Sequence, residues 1–100
     1  MWERVAKLED IEVGKSMTVD WKGRAIALFR TKDAVYAIDG VCPHRGGPLG
    51  EGYLEESVVT CPWHGWSFDV KTGECRSVPQ VKQKCFTVEC RGDEVFLEVQ

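Results

Sequence analysis

The chain has 100 residues and a formal net charge of −3, with 43% hydrophobic and 29% charged residues. These values are ordinary for a single globular domain, and we therefore treat residues 1–100 as one domain. The basic residues form no stripe or cluster, which argues against nucleic acid as a partner.

No apolar run approaches the roughly 20 residues that a membrane-spanning helix needs. Residues 1–5 lack the charged and then apolar plan of a signal peptide. We therefore expect a protein that has no membrane association and works in the cytoplasm. The chain has five cysteines, an odd number, and in this context they favour metal binding over a disulfide framework.

In chain order, the sequence predicts short β-strands separated by turns, after one weak helical turn at residues 8–11. A strand at residues 15–19 leads into a turn at residues 20–23. Residues 24–30 and 34–38 are apolar and bracket a short polar connection, which is the pattern of a β-hairpin.

The end of the chain predicts a second pair of strands. Residues 85–90 alternate between apolar and polar, turn at residues 91–93 and return through residues 95–99. The period of two places Phe86, Val88 and Cys90 on one face of the first strand. Strands this short and closely spaced predict an all-β fold, either a small antiparallel sandwich or a barrel.

Two segments rich in Gly and Pro break the strand pattern, and each carries one cysteine and one histidine. Cys42 and His44 are separated by one residue, and Cys61 and His64 by two. These are the only two histidines, and chance rarely places each within three positions of a cysteine. Loops on a rigid β scaffold commonly carry function, so the four residues are candidate metal ligands.

The order of the four candidate ligands bears on the metal. Zinc fingers usually place two cysteines together and two histidines together. Here each loop supplies one of each, which suits a binuclear centre whose two irons have different ligands. The alternative is a zinc site that only pins the two loops.

The motifs Cys-Pro-His-Arg-Gly and Cys-Pro-Trp-His-Gly-Trp closely resemble those of the Rieske family. The resemblance implies a Rieske fold with a two-loop cluster-binding tip and one [2Fe–2S] cluster per chain. It implies that Cys42 and Cys61 bind one iron, and that His44 and His64 bind the other. It also implies a third loop with a proline that shields the cluster, for which residues 77–79 are in the right place.

The ligands and their surroundings predict a low-potential member of this family. Relatives in respiratory cytochrome bc-type complexes carry an extra, disulfide-forming cysteine in each loop, and hydroxyl residues after the second loop. This sequence has Gly47 and Trp63 at the first pair of positions, and Trp66 and Phe68 at the second. Fewer hydrogen bonds to sulfur place the potential near the low end of the roughly −150 to +300 mV range of Rieske centres. Solvent-facing imidazoles would make reduction proton-coupled at high pH.

By resemblance, the chain is a soluble electron carrier between a flavin-dependent reductase and a terminal ring-hydroxylating oxygenase. It is not an enzyme by itself, because no histidine remains for a catalytic dyad once both bind iron. The chain ends at Gln100, without room for the catalytic domain of an oxygenase, and we expect a monomer. The alternatives are the small subunit of an assimilatory nitrite reductase, whose members often lack the ligands, and a zinc-pinned interaction module.

Aromatic and charged side chains near the loops each have two interpretations. We expect Trp63 and Trp66 to pack over the cluster and exclude water. Arg45 is compatible with partner docking and equally with simple solvation. Three acidic residues could steer a basic partner surface, but we favour a simple solvated loop face for them: Glu51, Glu55 and Glu56.

The loop glycines and the other cysteines have mainly structural interpretations. We expect positive φ, with backbone N–H groups turned toward the cluster sulfides, at Gly46, Gly47, Gly50 and Gly65. Cys90 is expected to pack as a small hydrophobe. Cys75 and Cys85 form no Cys-x-x-Cys pair, and no role is assigned to them.

Overall fold

The computed structural model describes residues 1–63 and 65–98, and the regular secondary structure of this part of the chain is almost entirely β. It contains two short 3-10 turns, Leu8–Asp10 and Leu49–Glu51, the first of which confirms the predicted helical turn. The strands are β1 (Trp2–Lys7), β2 (Ser16–Trp21), β3 (Arg24–Arg30), β4 (Val35–Asp39), β5 (Tyr53–Glu55), β6 (Val58–Thr60), β7 (Ser67–Asp69), β8 (Cys85–Phe86), β9 (Val88–Arg91) and β10 (Glu94–Glu98). No helix among these residues is long and apolar enough to span a bilayer.

The strands of the described residues form three antiparallel sheets, which confirms the predicted all-β fold. The first sheet has the order β1-β10-β9, the second β2-β3-β4-β8 and the third β5-β6-β7. The third sheet carries the motif loops, because the first loop runs from β4 toward β5 and the second joins β6 to β7. The third sheet therefore holds both ends of the second loop and lies at the far end of the first, which begins at β4 of the second sheet.

Strand β3 lies at the centre of the molecule because both of its faces are buried. Four consecutive residues, 26–29, are inaccessible to solvent. Ile26 and Leu28 pack into one apolar cluster, whereas Ala27 and Phe29 pack into another. Successive side chains of a strand point to opposite faces, so burial of both faces requires a continuous apolar run. The cluster of Ala27 and Phe29 also contains both motif cysteines, and the central strand thus supports the loops directly.

The predicted hairpin is confirmed. β3 has the predicted bounds, and β4 is displaced by one residue, with Arg30 opposite Val35. The turn before β3 is narrower than predicted, because residues 20 and 21 belong to β2. Only Lys22 and Gly23 turn, with φ values of 53° and 79°. Positive φ at both central residues matches the right-handed twist of the paired strands.

The prediction of one continuous strand over residues 85–90 is wrong. The segment divides at Thr87 into β8, which pairs with β4, and β9, which pairs with β10. Side-chain alternation does not reveal this change of sheet, since both halves keep an extended backbone. Cys90 is exposed instead of packed, because β9 is the outer strand of its sheet.

Four strands of the structure are not predicted by the sequence pattern. A register shift between Arg4 and Ala6 in β1 interrupts the alternation of buried and exposed side chains. β5, β6 and β7 have three residues each, too few for a period of two to stand out. Their existence depends on pairing with one another, which is a tertiary property.

Candidate metal centre

The first motif loop, residues 41–48, is closed by backbone hydrogen bonds around its cysteine. The Cys42 N–H donates to the Gly47 carbonyl (2.9 Å), and the Gly46 N–H donates to the Cys42 carbonyl (2.7 Å). Gly46 has a φ of +76°, which glycine adopts without steric cost. The loop therefore holds Cys42 and His44 within one tight turn.

The second motif loop, residues 61–66, is closed in a similar way. The Cys61 N–H donates to the Trp66 carbonyl (2.7 Å). The Trp63 N–H points back toward the Cys61 sulfur, at 3.4 Å. His64, the fourth predicted ligand, lies outside the described residues.

The two loops bring the thiols of Cys42 and Cys61 together. Both residues are almost completely buried, at 1% and 2% exposure, and they lie close enough for Cys61 to influence the ionisation of Cys42. Burial raises the pKa of the Cys42 thiol, because a thiolate is poorly solvated in an apolar core. The backbone N–H groups of His44 and Arg45 near the Cys42 sulfur oppose this rise in pKa, whereas the neighbouring Cys61 adds to it.

This thiol pair fits the cysteine side of an iron–sulfur centre. A bound metal stabilises thiolates and so offsets the cost of ionising buried thiols. Backbone donors already point at both sulfurs and would stabilise their negative charge. No group of three or more metal-ligating side chains gathers within residues 1–63 and 65–98. A binuclear centre does not require one, since its cysteines and histidines bind different irons.

The His44 ring is oriented by an aromatic neighbour. It stacks on the indole of Trp66, with ring centroids 4.3 Å apart and planes 10° from parallel. Trp66 is half-buried and packs against the cluster that contains both motif cysteines. The structure thus places Trp66 beside the predicted ligands, as expected, and the stack restricts the imidazole before any metal binds.

Trp63 differs from the expectation that it is packed away from water. Its side chain is 50% exposed, and Val41 on the first loop is 48% exposed. Pro43 and Pro62 are exposed as well. Both motif loops therefore present apolar side chains to solvent, which gives them the character of a contact surface.

The glycines of the loops serve two different purposes. The expected positive φ is observed at Gly46 and Gly65, but not at Gly47 and Gly50. A Cβ at position 47 would lie 2.6 Å from the Cys61 sulfur, and one at position 50 would collide with the Thr18 hydroxyl. These two glycines are required for close approach and not for a left-handed backbone.

Gly47 and Trp63 are neighbours, because a Cβ on Gly47 would lie 3.1 Å from the Trp63 Cβ. The two positions that carry the extra cysteines in bc-type relatives are therefore adjacent in this fold. All five cysteines of this chain are free.

The third predicted loop, residues 77–79, is present beside the other two. Val78 packs against the apolar cluster of the motif cysteines, and its N–H donates to the Cys75 sulfur (3.3 Å). The Ser77 hydroxyl accepts a hydrogen bond from the Ser67 N–H (3.1 Å). Pro79 is exposed, so Val78 and not the proline makes the inward contact.

The charged residues near the loops are exposed, in agreement with a solvated loop face. This holds for Arg45, Glu51, Glu55 and Glu56. In the part of the chain that the structure describes, ion pairs join other residues, namely Arg4–Glu94, Arg24–Asp39 and Arg91–Glu89. Nothing in these contacts assigns the loop charges a role beyond solvation.

One polar residue at the site is not predicted by the sequence. Gln83 is buried, and its side-chain amide donates to the Val41 carbonyl at the start of the first loop (2.7 Å). It stands between Lys82 and Lys84 in a polar stretch that resembles any surface segment. No residue type or spacing there signals a role, because the contact spans residues distant in sequence.

Cys85 is exposed, and its thiol should nevertheless react slowly at neutral pH. Partial burial raises the pKa of this thiol, an effect that Lys82 opposes and Asp69 reinforces. The reactive thiolate of Cys85 therefore forms at a higher pH than the thiolate of an ordinary cysteine. Mass spectrometry after timed iodoacetamide treatment should show modification of Cys85 lagging behind a cysteine peptide at pH 8, with the gap closing at higher pH. Equal rates at pH 8 would contradict the prediction.

Each motif loop contributes one buried thiol to a shared pair, and the first loop also holds a preoriented histidine. This arrangement fits the class of iron–sulfur proteins. Residues 1–93 match the family of the Rieske [2Fe–2S] domain. The chain belongs to this family, and membership implies a Rieske-type [2Fe–2S] cluster as its cofactor.

Relatives that match this chain over nearly their whole length include ferredoxin components of oxygenase systems. The chain is 33% identical over 100 residues to the ferredoxin component of the naphthalene 1,2-dioxygenase/salicylate 5-hydroxylase systems of a Ralstonia species, which covers 99% of this chain and 96% of the relative. The ferredoxin of carbazole 1,9a-dioxygenase from Nocardioides aromaticivorans is 30% identical with a TM-score of 0.90, covering 100% of this chain and 99% of that one. A chain in the complex of reduced oxygenase and oxidised ferredoxin of carbazole 1,9a-dioxygenase is 35% identical with a TM-score of 0.87, covering 96% and 91%.

The nitrite reductase alternative has weaker support. The small subunit of an NADH-dependent nitrite reductase from Mycobacterium tuberculosis has a TM-score of 0.89 and covers 100% of this chain and 96% of its own. It is 21% identical, and this likeness shows the fold alone.

Proposed function

We propose that this chain is an electron-transfer ferredoxin that accepts single electrons from a flavin-dependent reductase and passes them to a terminal oxygenase. The observation that carries the proposal is the pair of buried thiols, Cys42 and Cys61, that the two motif loops bring together in one apolar cluster. The relatives of matching length support it, since they are ferredoxin components of dioxygenase systems and not their catalytic subunits.

The proposed ligands are Cys42 and Cys61 for one iron, and His44 and His64 for the other. When bound, the [2Fe–2S] centre supplies a site for one reversible electron. Cys42 and Cys61 lie in the apolar cluster around Phe29, which excludes water from the thiolate side. His44 is half-buried and hence nearer the surface. We expect the histidine side of the centre to face solvent and partner proteins.

The proposed contact surface for both partners is the exposed apolar rim of the motif loops. Val41 and Trp63 lose water readily on contact, and neither forms a charged pair that would have to be desolvated. A small apolar patch favours brief encounters, which suits a carrier that must leave one partner before it meets the next. The exposed acidic side chains of Glu55 and Glu56 lie outside this rim and contribute to solubility.

The test is the electron paramagnetic resonance (EPR) spectrum of protein purified without air, recorded before and after dithionite. We expect a coloured preparation whose oxidised form is silent. The reduced form should give a rhombic signal with an average g below the free-electron value, the signature of mixed histidine and cysteine ligation. Iron analysis should find two irons per chain, the stoichiometry of one such cluster.

Two variants separate the proposed ligands from other cysteines. Cys42→Ser should lose the colour and the rhombic signal, whereas Cys90→Ser should keep both, because Cys90 is exposed on β9. A colourless wild-type preparation that contains zinc would overturn the electron-carrier proposal in favour of a structural zinc site. An intact signal in Cys42→Ser would overturn the ligand set alone.

We also propose that the chain works in the cytoplasm. Its five cysteines are all free, and the thiols of Cys85 and Cys90 are exposed. Exposed free thiols persist in a reducing compartment. Fractionation of the source cells should recover the protein with cytoplasmic markers, and recovery with periplasmic markers would contradict this location.

A further inference from the structure

Among the described residues, Gln83 is the one polar residue that is buried, with 7% exposure. Both of its chain neighbours are exposed. Lys82 and Lys84 point outward, so the amide between them points into the protein. A buried amide is expected to have hydrogen-bond partners, because an unsatisfied one is costly. The identity of its partners therefore indicates what the residue supports.

The side-chain amide of Gln83 donates to two backbone carbonyls at the entry of the first motif loop. Nε2 lies 2.9 Å from the Asp39 carbonyl oxygen and 2.7 Å from the Val41 carbonyl oxygen. An amide NH2 group has two protons, so both donors are used. These contacts extend the pairing of β4 with β8, in which the Asp39 N–H donates to the Lys84 carbonyl (2.9 Å). Where the backbone ladder ends, the Gln83 side chain continues it toward the loop.

The contact with Val41 fixes the peptide unit that leads into Cys42. The carbonyl of Val41 and the N–H of Cys42 belong to one planar group. Gln83 binds the carbonyl, and the Gly47 carbonyl accepts from the N–H at 2.9 Å. With both ends bonded, this plane cannot rotate without breaking a hydrogen bond. The plane fixes the Cα of Cys42, from which its side chain starts, and thereby limits where its sulfur can lie.

Gln83 is itself held firmly. Its own N–H donates to the Gly73 carbonyl (2.6 Å), and Gly73 has a φ of +81°. A Cβ at position 73 would collide with the Gln83 carbonyl oxygen. The two backbones are therefore in direct contact, and the amide of Gln83 reaches the loop from a rigid support.

We propose that Gln83 is a positioning residue for the cluster site: it locks the Val41–Cys42 peptide and thereby aims the Cys42 sulfur at Cys61. The inference rests on the ligand set of the proposed function. It assigns to a residue outside all three loops a specific effect on the bound cluster, distinct from general support of the fold.

The test compares Gln83→Met with a matched control, Arg30→Met. Methionine preserves the length and apolar packing of Gln83 and removes both donors. Arg30 makes the same kind of contact elsewhere, since its Nη1 donates to the carbonyls of Leu8 (3.1 Å) and Ile11 (2.9 Å). Both variants lose two side-chain-to-carbonyl bonds, but only one of them loses bonds at the motif loop. Gln83→Glu, which replaces the donors by an acceptor, is a second variant.

We expect Gln83→Met to lose iron to an excess of chelator about tenfold faster than the wild type, the scale on which residues behind a metal ligand act. Its reduced EPR lines should shift or broaden, because the Cys42 sulfur takes up a range of directions. Arg30→Met should keep the wild-type EPR spectrum and rate of iron loss, even if its melting temperature falls as far as that of Gln83→Met. Gln83→Glu should resemble Gln83→Met.

Three results would overturn the inference. One is an unchanged EPR spectrum and rate of iron loss in Gln83→Met. Another is iron loss that rises equally in Arg30→Met, which would make stability and not position the cause. The last is failure of both Gln83 variants to fold, which would make Gln83 a general support. A wild-type protein without the rhombic signal would instead defeat the proposed function, so the two failures are distinguishable.

Discussion

Gly47→Ala should abolish stable binding of the cluster, although it adds a single methyl group. The new Cβ would lie 2.6 Å from the Cys61 sulfur and 3.1 Å from Cβ and Cγ of Trp63. Real Cβ atoms essentially never come as close as 2.6 Å to another heavy atom, so the Cys61 side chain or its loop must shift away from the first loop. Because the thiols of Cys42 and Cys61 meet between these loops, their separation removes the proposed ligand pair. We expect the iron content per chain to fall by roughly tenfold or more.

The cost of this substitution to the protein itself should be modest, about 1–3 kcal/mol for overpacking a buried site. Gly14→Ala is the control. Gly14 has a φ of +84° and open space around it, so alanine there strains the backbone and touches nothing near the loops. We expect Gly14→Ala to lose stability and to keep full iron content. Wild-type iron content in Gly47→Ala would show that the loops tolerate separation and that the close contact is not required.

Trp66→Ala should destabilise the protein by roughly 2–4 kcal/mol and release the His44 ring. The indole stacks on His44 at 4.3 Å and packs against the apolar cluster that holds both motif cysteines. Its removal opens a cavity beside the thiols and admits water to the proposed ligands. We expect Trp66→Ala to lose iron faster than the wild type because its site is more exposed to water. The rate of iron loss is measured by the decay of visible absorbance in the presence of a chelator.

Trp21→Ala provides the comparison, since Trp21 is also half-buried but packs into the other apolar cluster, with Ile26 and Leu28. Chemical denaturation should show a comparable loss of stability for the two variants. Only Trp66→Ala should show faster iron loss at denaturant concentrations where both proteins are folded. If the two variants lost iron at the same rate, the stack on His44 would have no special part in retaining the cluster.

The candidate site is predictable from sequence because ligands are chemical types at short spacings. Cys42 and His44 lie within one turn, and Cys61 begins a second loop with a similar composition. The preference of iron–sulfur centres for thiolate and imidazole requires no knowledge of the fold. The purpose of Gly47 is not predictable in this way, since its neighbour, the Cys61 sulfur, comes from another loop.

The fold is predictable where the pattern is local and long. The apolar run of β3 and its turn to β4 follow from residues adjacent in sequence. The division of the segment around Thr87 between two sheets does not, because both halves are equally extended. The same reason explains why Cys90 is exposed: an outer strand and an inner strand have the same local geometry, and only their partners differ.

The sequence by itself determined that this protein is all β, and it predicts a site of two cysteines and two histidines in two loops, since strand alternation and ligand chemistry are encoded within short segments. The tertiary structure decided which atoms support those ligands. Gln83 reaches the Val41 carbonyl, Trp66 stacks on His44, and Gly47 makes room for a sulfur. These contacts join residues that are distant along the chain, and their existence depends on how the sheets pack, which no local pattern specifies.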